Sequence, residues 1–124
     1  RLYALRDATG TVPAAGLIAA SVMSKKLAGG AEAISLDVKA GRGAFFADAA
    51  EARAGAALMA ALAGPWGRRV RWIVSAMDQP LGRSVGNALE VREAADALRG
   101  GGPPDLRELT VAVAADLAEA AGAV

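Results

Sequence analysis

Two short apolar runs, bounded by turn residues and joined through one alanine-rich helical stretch, restrict this chain more than any other feature. The first, Ala33-Ile34-Ser35-Leu36-Asp37-Val38-Lys39, lies between Gly29-Gly30 and Gly41-Arg42-Gly43. The second runs from Val70 to Met77, with Trp72, Ile73 and Val74 at its centre, after Gly64-Pro65-Trp66-Gly67. Runs of this length and setting read as buried strands. Between them, Asp48-Ala49-Ala50-Glu51 has the spacing of a capping box and opens a helix to about Ala63. Strand, helix, strand is a βαβ unit, so the strands are expected to be parallel with a right-handed crossover. Two parallel strands alone leave both edges open, and parallel sheets normally carry helices on both faces. The expected fold class is therefore α/β: a partial parallel sheet with flanking helices, completed by strands from elsewhere. Arg1 in place of an initiator methionine fits an internal piece of a longer protein.

The remaining elements follow from punctuation. The opening, Arg1 to Val12, is mixed in character and turns at Thr9-Gly10-Thr11. Pro13 suits a helix start, and Ala14 to Ala28 reads as a helix stopped by Gly29-Gly30. After Asp78-Gln79-Pro80-Leu81-Gly82 comes a helix reaching Leu98. Gly100 to Pro104 is a linker, and Asp105-Leu106-Arg107-Glu108 reads as a capping box for a last helix to about Ala121.

Composition removes several classes of chemistry. Cysteine and histidine are absent, which excludes disulfides, thiolate nucleophiles and histidine-based triads within these residues. The formal charge is +1 and aromatics are 4%, too few for a stacking platform, so nucleic acid is not an expected partner. Arg68, Arg69 and Arg71 are the densest basic cluster and read as the solvated approach to a strand. No stretch reaches the about 20 apolar residues of a membrane span. A cytoplasmic setting is the expectation.

Chemistry could sit in three places. On the wheel of the first long helix, Leu17, Ser21, Ser24 and Lys25 share a side, with Ser21 and Lys25 one turn apart. That pattern suits either a polar window onto a ligand or a lysine snorkelling at a helix C-terminus. Lys39-Ala40-Gly41-Arg42-Gly43 lies at the C-terminal end of a strand, where open α/β sheets bind ligands, but it matches no phosphate-loop signature and also reads as a mobile connection. From Asp78 to Glu93, turn carbonyls and helix acids could ligate a hard cation. Glu90 and Glu93 also read as ordinary helix-surface acids paired with Arg92 or its neighbours.

Several segments resemble the thymidine and pyrimidine-nucleoside phosphorylases. They are Tyr3-Ala4-Leu5-Arg6-Asp7 with Thr9-Gly10-Thr11-Val12, Ser21-Val22-Met23-Ser24-Lys25-Lys26, Leu36-Asp37-Val38-Lys39 and Gly43-Ala44-Phe45. Gln79-Pro80-Leu81-Gly82 and Val85-Gly86-Asn87-Ala88-Leu89-Glu90 complete the set. The resemblance runs in order along essentially the whole chain. It implies phosphorolysis of a pyrimidine nucleoside to free base and pentose 1-phosphate, with inorganic phosphate as co-substrate and no organic cofactor.

By the same resemblance, Arg6, Ser21 and Lys25 hold the pyrimidine base, and the residues present include no catalytic acid or base. A structural potassium ion would take backbone carbonyls of Leu81 and Ser84 and the carboxylate of Glu93. Residues 1–28 resemble part of a small helical domain and residues 29–124 part of a large α/β domain, in a parent expected to be a homodimer. Two departures stand out. Ala15-Gly16 replaces a common Ile-Pro, and the family's lysine- and serine-rich phosphate loop has no counterpart here. An inactive fragment of such an enzyme is the resulting expectation. A related anthranilate-type phosphoribosyltransferase and a non-catalytic interaction module are the alternatives.

Overall fold

The structure, a computed structural model, describes residues 2–124, with side chains from Ala4 onward. Arg1 and the Tyr3 side chain, on which part of the resemblance rests, lie outside the described set. The element order is α1 (Leu2–Ala8), α2 (Ala15–Ala28), β1 (Ala33–Ala40), α3 (Ala49–Ala63), a single 3₁₀ turn (Gly64–Trp66), β2 (Arg69–Ala76), α4 (Asn87–Leu98) and α5 (Pro104–Ala121). β1 and β2 form a two-stranded parallel sheet in the register Leu36 opposite Trp72 and Val38 opposite Val74. The α/β class and the partial parallel sheet with flanking helices are as the sequence implied.

One face of the sheet makes the core. Ile34, Leu36, Val38 and Ala40 of β1 are buried, with Val70, Trp72 and Val74 of β2 packed beside them. Against this face lies α3, which contributes Ala52, Ala56, Met59 and Ala63; behind it α2 contributes Ile18, Ala19 and Met23. The alanine bias has a purpose here: side chains of one carbon let α3 approach both the sheet and α2, while alanine keeps helix formation inexpensive. Asp48 caps α3, its carboxylate accepting from the N–H groups of Ala50 (2.8 Å) and Glu51 (2.9 Å). Glu51 reaches back to the Ala47 N–H at 3.0 Å, so both halves of a capping arrangement are present.

Gly55 sits inside α3 where a glycine costs about 1 kcal/mol relative to alanine. Its reason is the Phe46 ring, which occupies the space a β-carbon would need. Gly55→Ala is expected to destabilise the chain by about 1–2 kcal/mol net, because overpacking outweighs the gain in helix propensity. Urea unfolding measures this; a raised midpoint would show that the Phe46 ring can move aside.

The other sheet face differs from the apolar run expected of a doubly covered strand. β1 alternates strictly, and its second face carries Ser35, Asp37 and Lys39 opposite Arg71, Ile73 and Ser75. Polarity is tolerated there because the groups satisfy one another. Ser75 donates to Asp37 at 2.5 Å, and Lys39 bridges Ser75 (2.9 Å) and Asp37 (2.6 Å). Near the strand starts, α5 supplies Asp116, which accepts from Ser35 Oγ (2.5 Å) and Arg71 Nε (2.6 Å), while Glu119 pairs with Arg71 at 2.7 Å. Arg71 is thus an anchor for α5, not part of a solvated basic approach.

Three local readings need correction. The opening residues form a helix, α1, where mixed composition suggested only a turn-bounded lead-in. β2 starts and ends one residue earlier than the apolar run, because its ladder begins at Arg69, paired with Ala33. Asp105 is not the N-cap of α5. Pro104, with its backbone angle preset, takes the first helical position, Pro103 becomes the cap, and the Asp105 carboxylate accepts from the Gly82 N–H at 3.0 Å.

Candidate active site

Helix α2 offers two adjacent lanes beside the core, one of them rooted in the buried Ile18. Ser21 and Lys25 form one, and Ile18, Val22 and Lys26 the other, each spaced by one turn. Helix α1 and the turn after it bring Arg6 and Val12 alongside. The loop between β1 and α3 adds Phe45. Together Arg6, Val12, Ile18, Ser21, Val22, Lys25 and Phe45 line a cleft of about 310 Å³. The three residues expected to hold a base are therefore brought together, with four apolar side chains around them.

The turn that positions Arg6 is closed on itself. The Thr11 N–H donates to the Arg6 carbonyl at 2.9 Å, Gly10 takes a left-handed backbone (φ 65°), and Arg6 Nη2 donates to the Val12 carbonyl at 2.8 Å. One edge of the guanidinium is thereby fixed. Its Nε is buried and has no partner among the described residues. Among the described residues no carboxylate lines the cleft, so two cations and a hydroxyl share a largely apolar concavity. Such a setting favours a planar, partly apolar ligand that carries or develops negative charge on its oxygens.

A second groove of about 530 Å³ adjoins the first and shares Ile18, Val22 and Phe45 with it. It runs along the edge of β1 opposite β2, past Ser35 to Lys39, and Lys26 stands on its wall. The loop at its end is anchored to β2, in contrast to the mobile connection that Gly41-Arg42-Gly43 suggested. Gly43 N–H donates to the Met77 carbonyl at 2.9 Å, Gly41 N–H to the Phe46 carbonyl at 3.0 Å, and Arg42 N–H to Asp78 Oδ1 at 3.1 Å. Glycine is required at 41, where φ is 127° and a β-carbon would collide with the Asp78 carboxylate.

Leu81 and Ser84, in the turn preceding α4, and Glu93, within α4, are not among the residues lining the first cleft. Glu93 does not pair with Arg92 in a surface ion pair. Its carboxylate accepts from Arg83 N–H (3.1 Å) and Ser84 Oγ (3.2 Å), holding the turn from the helix side. Glu90 accepts from the Gly86 N–H at 2.8 Å and so closes the start of α4. Among the described residues no three His, Cys, Asp or Glu side chains gather as a metal cluster, so a cation at this turn would depend on carbonyl oxygens. Phe45 is the cleft residue that reasoning on side-chain chemistry missed. It was quoted within a motif, yet only its 64% exposure on the cleft wall marks it out.

The model of the glycosyl transferase family a/b domain matches residues 5–124. The chain belongs to the glycosyl transferase family. Among curated relatives, it is 54% identical over 122 residues to a thymidine phosphorylase of Mycobacterium tuberculosis (strain CDC 1551 / Oshkosh), covering 98% of this chain and 29% of that protein. It is 52% identical over 117 residues to pyrimidine-nucleoside phosphorylases of Staphylococcus haemolyticus and Staphylococcus aureus, covering 94% of this chain and 27% of each. The chain thus spans under a third of the length of these relatives. Its likeness to them agrees with the resemblance carried by the motifs. No described helix is long and apolar enough to cross a membrane.

Proposed function

We propose that this chain is the base-binding portion of a pyrimidine-nucleoside phosphorylase. The observation that carries the reading is the convergence of Arg6, Ser21 and Lys25 on one apolar-walled cleft without a lining carboxylate. In phosphorolysis the bond between the base nitrogen and the sugar anomeric carbon breaks, and its electron pair stays with the base. A phosphate oxygen forms the new bond to that carbon. Negative charge therefore grows on the base carbonyl oxygens as the reaction proceeds. Two cations and a hydroxyl bind that charge better than they bind the neutral base, which lowers the barrier. The aromatic ring of Phe45 and the aliphatic walls surround the base with apolar surface, which strengthens those interactions.

Inorganic phosphate would be held by residues of the longer protein, so this chain alone should bind base without turning over nucleoside. The assignment of residues 1–28 to a small helical domain and residues 29–124 to a large α/β domain belongs to the same proposal, as do a homodimeric parent and a cytoplasmic setting. A potassium ion is proposed at the turn before α4, held by the carbonyls of Leu81 and Ser84 with Glu93. The donor chemistry fits: Glu93 already lies against Arg83 and Ser84, and an all-oxygen set with one carboxylate suits a hard cation. Its contribution when bound would be to order that turn.

The test is phosphate-dependent release of thymine or uracil. The full-length protein is expected to release base only with phosphate present. The 124-residue chain is expected to bind the base with no turnover. Sustained turnover by the short chain, or release by the full-length protein without phosphate, would count against the reading.

A further inference from the structure

We infer that Asp78 is a positioning residue for the base cleft, acting through the loop 41–46 that carries Phe45. This rests on the proposed reading of the cleft. Phe45 is 64% exposed, so burial of its own ring does little to hold it in place. Its position is set by the backbone on either side. That backbone is fixed by three main-chain hydrogen bonds, Gly41 N–H to Phe46 carbonyl, Ala44 N–H to Gly41 carbonyl and Gly43 N–H to Met77 carbonyl. The fourth tie is Asp78 Oδ1, which accepts from Arg42 N–H at 3.1 Å.

The surrounding residues are shaped to admit that carboxylate. Gly41, at φ 127°, leaves the space that the Asp78 oxygen fills, and a β-carbon at Gly43 would strike the Met77 carbonyl. The loop therefore cannot be lifted from the residues that follow β2 without losing the contacts at 42 and 43 together. The Arg42 guanidinium stands 3.8 Å from the same oxygen, but both side chains are mostly exposed and solvent screens that attraction. The ordering contact is the one to the Arg42 main chain. Through it, a residue at the tip of β2 places a ring on the wall of a cleft whose charged groups come from α1 and α2.

The experiment compares the 124-residue chain with D78A, D78N and G41A. Thymine or uracil is titrated in while the Phe45 ring resonances are followed by NMR; amide exchange at Arg42 and the thermal midpoint are measured on the free proteins. D78A is expected to weaken base binding about three- to tenfold, the range for net loss of one ordinary hydrogen bond, because the contact is solvent-exposed and acts on the cleft only through the loop. Its Arg42 amide should exchange faster while the midpoint stays near that of the parent chain. D78N keeps an acceptor oxygen and should restore affinity to within about two- to threefold, since a neutral acceptor retains about half of such a bond. G41A should weaken binding at least as much as D78A, because its β-carbon displaces the carboxylate and its φ of 127° is strained for alanine.

Unchanged affinity and unchanged Arg42 exchange in D78A would overturn the proposal. So would a loss of affinity that follows a fall in the midpoint and is not rescued by D78N. Absence of base binding by the unsubstituted chain would instead remove the reading of the cleft on which the proposal stands, and that outcome is visible before any variant is compared.

Discussion

Arg6→Ala in the full-length protein is expected to lower kcat/KM for nucleoside phosphorolysis by about 10²–10³-fold, the usual effect of removing one donor aimed at developing charge. The size follows from how the guanidinium is held. Nη2 is committed to the Val12 carbonyl at 2.8 Å, which fixes the plane of the group before any ligand arrives. A preset donor loses little on binding and gains most when the base becomes negative. The loss should therefore fall on kcat as well as on kcat/KM, whereas a uniformly binding contact would raise KM alone. Arg6→Lys separates charge from geometry. A lysine keeps the cation but not the planar fork, so its activity should lie between wild type and alanine. Steady-state kinetics with thymidine or uridine at saturating phosphate measures both. Activity of the alanine variant within about threefold of wild type, a small share of the range for such donors, would remove Arg6 from the mechanism.

The parts of the fold that were legible in the sequence are those with a local cause. Glycine pairs bound β1 and α2, the Asp48 to Glu51 spacing marks the start of α3, and the apolar runs give two strands whose pairing is parallel. The base-holding residues were not legible in that way. Ser21 and Lys25 share a helix face, but a lysine near a helix C-terminus has an ordinary explanation, and only the family resemblance joined them to Arg6. What remained hidden depends on distance along the chain. Ser35, Arg71 and Asp116 form one cluster across separations of 45 and 81 residues, and nothing beside any one of them announces the others. Asp105 misled for the opposite reason. Its local spacing was right for a cap, but Pro104 advanced the helix start and the turn at Gly82 offered an N–H within reach. Phe45 fell between these cases, since an exposed aromatic residue in a loop carries no signal until the cleft beside it is known.

Asp116→Ala is expected to cost about 2 kcal/mol of stability near neutral pH. Asp116 is buried on the sheet face covered by α5 and is the shared acceptor for Ser35 Oγ and Arg71 Nε. Truncation would leave that hydroxyl without its acceptor and remove the side-chain tie from α5 to Ser35 of β1. Arg71 is half exposed and keeps Glu119 at 2.7 Å, so it can rehydrate, which holds the loss below that of a fully buried broken pair. The same cluster makes stability depend on acid. The hydrogen bond from Ser35 holds the Asp116 carboxyl below its usual value, helped by the hydrogen bond and charge of Arg71 and opposed by burial. The unfolded chain therefore takes up this proton more readily than the folded one. Asp116's contribution is complete above the unfolded value of about 4 and is lost as the pH falls below it through the folded value. Asp105 shifts the same way, chiefly because of the Gly82 N–H, so both ties of α5, to the sheet and to the turn before α4, weaken together in acid. Urea unfolding across the acid range should show wild-type stability falling below about pH 4, while Asp116→Asn starts lower and falls less steeply because one linked proton is gone. Equal slopes for the two proteins would mean that Asp116 is not the group that couples the docking of α5 to pH.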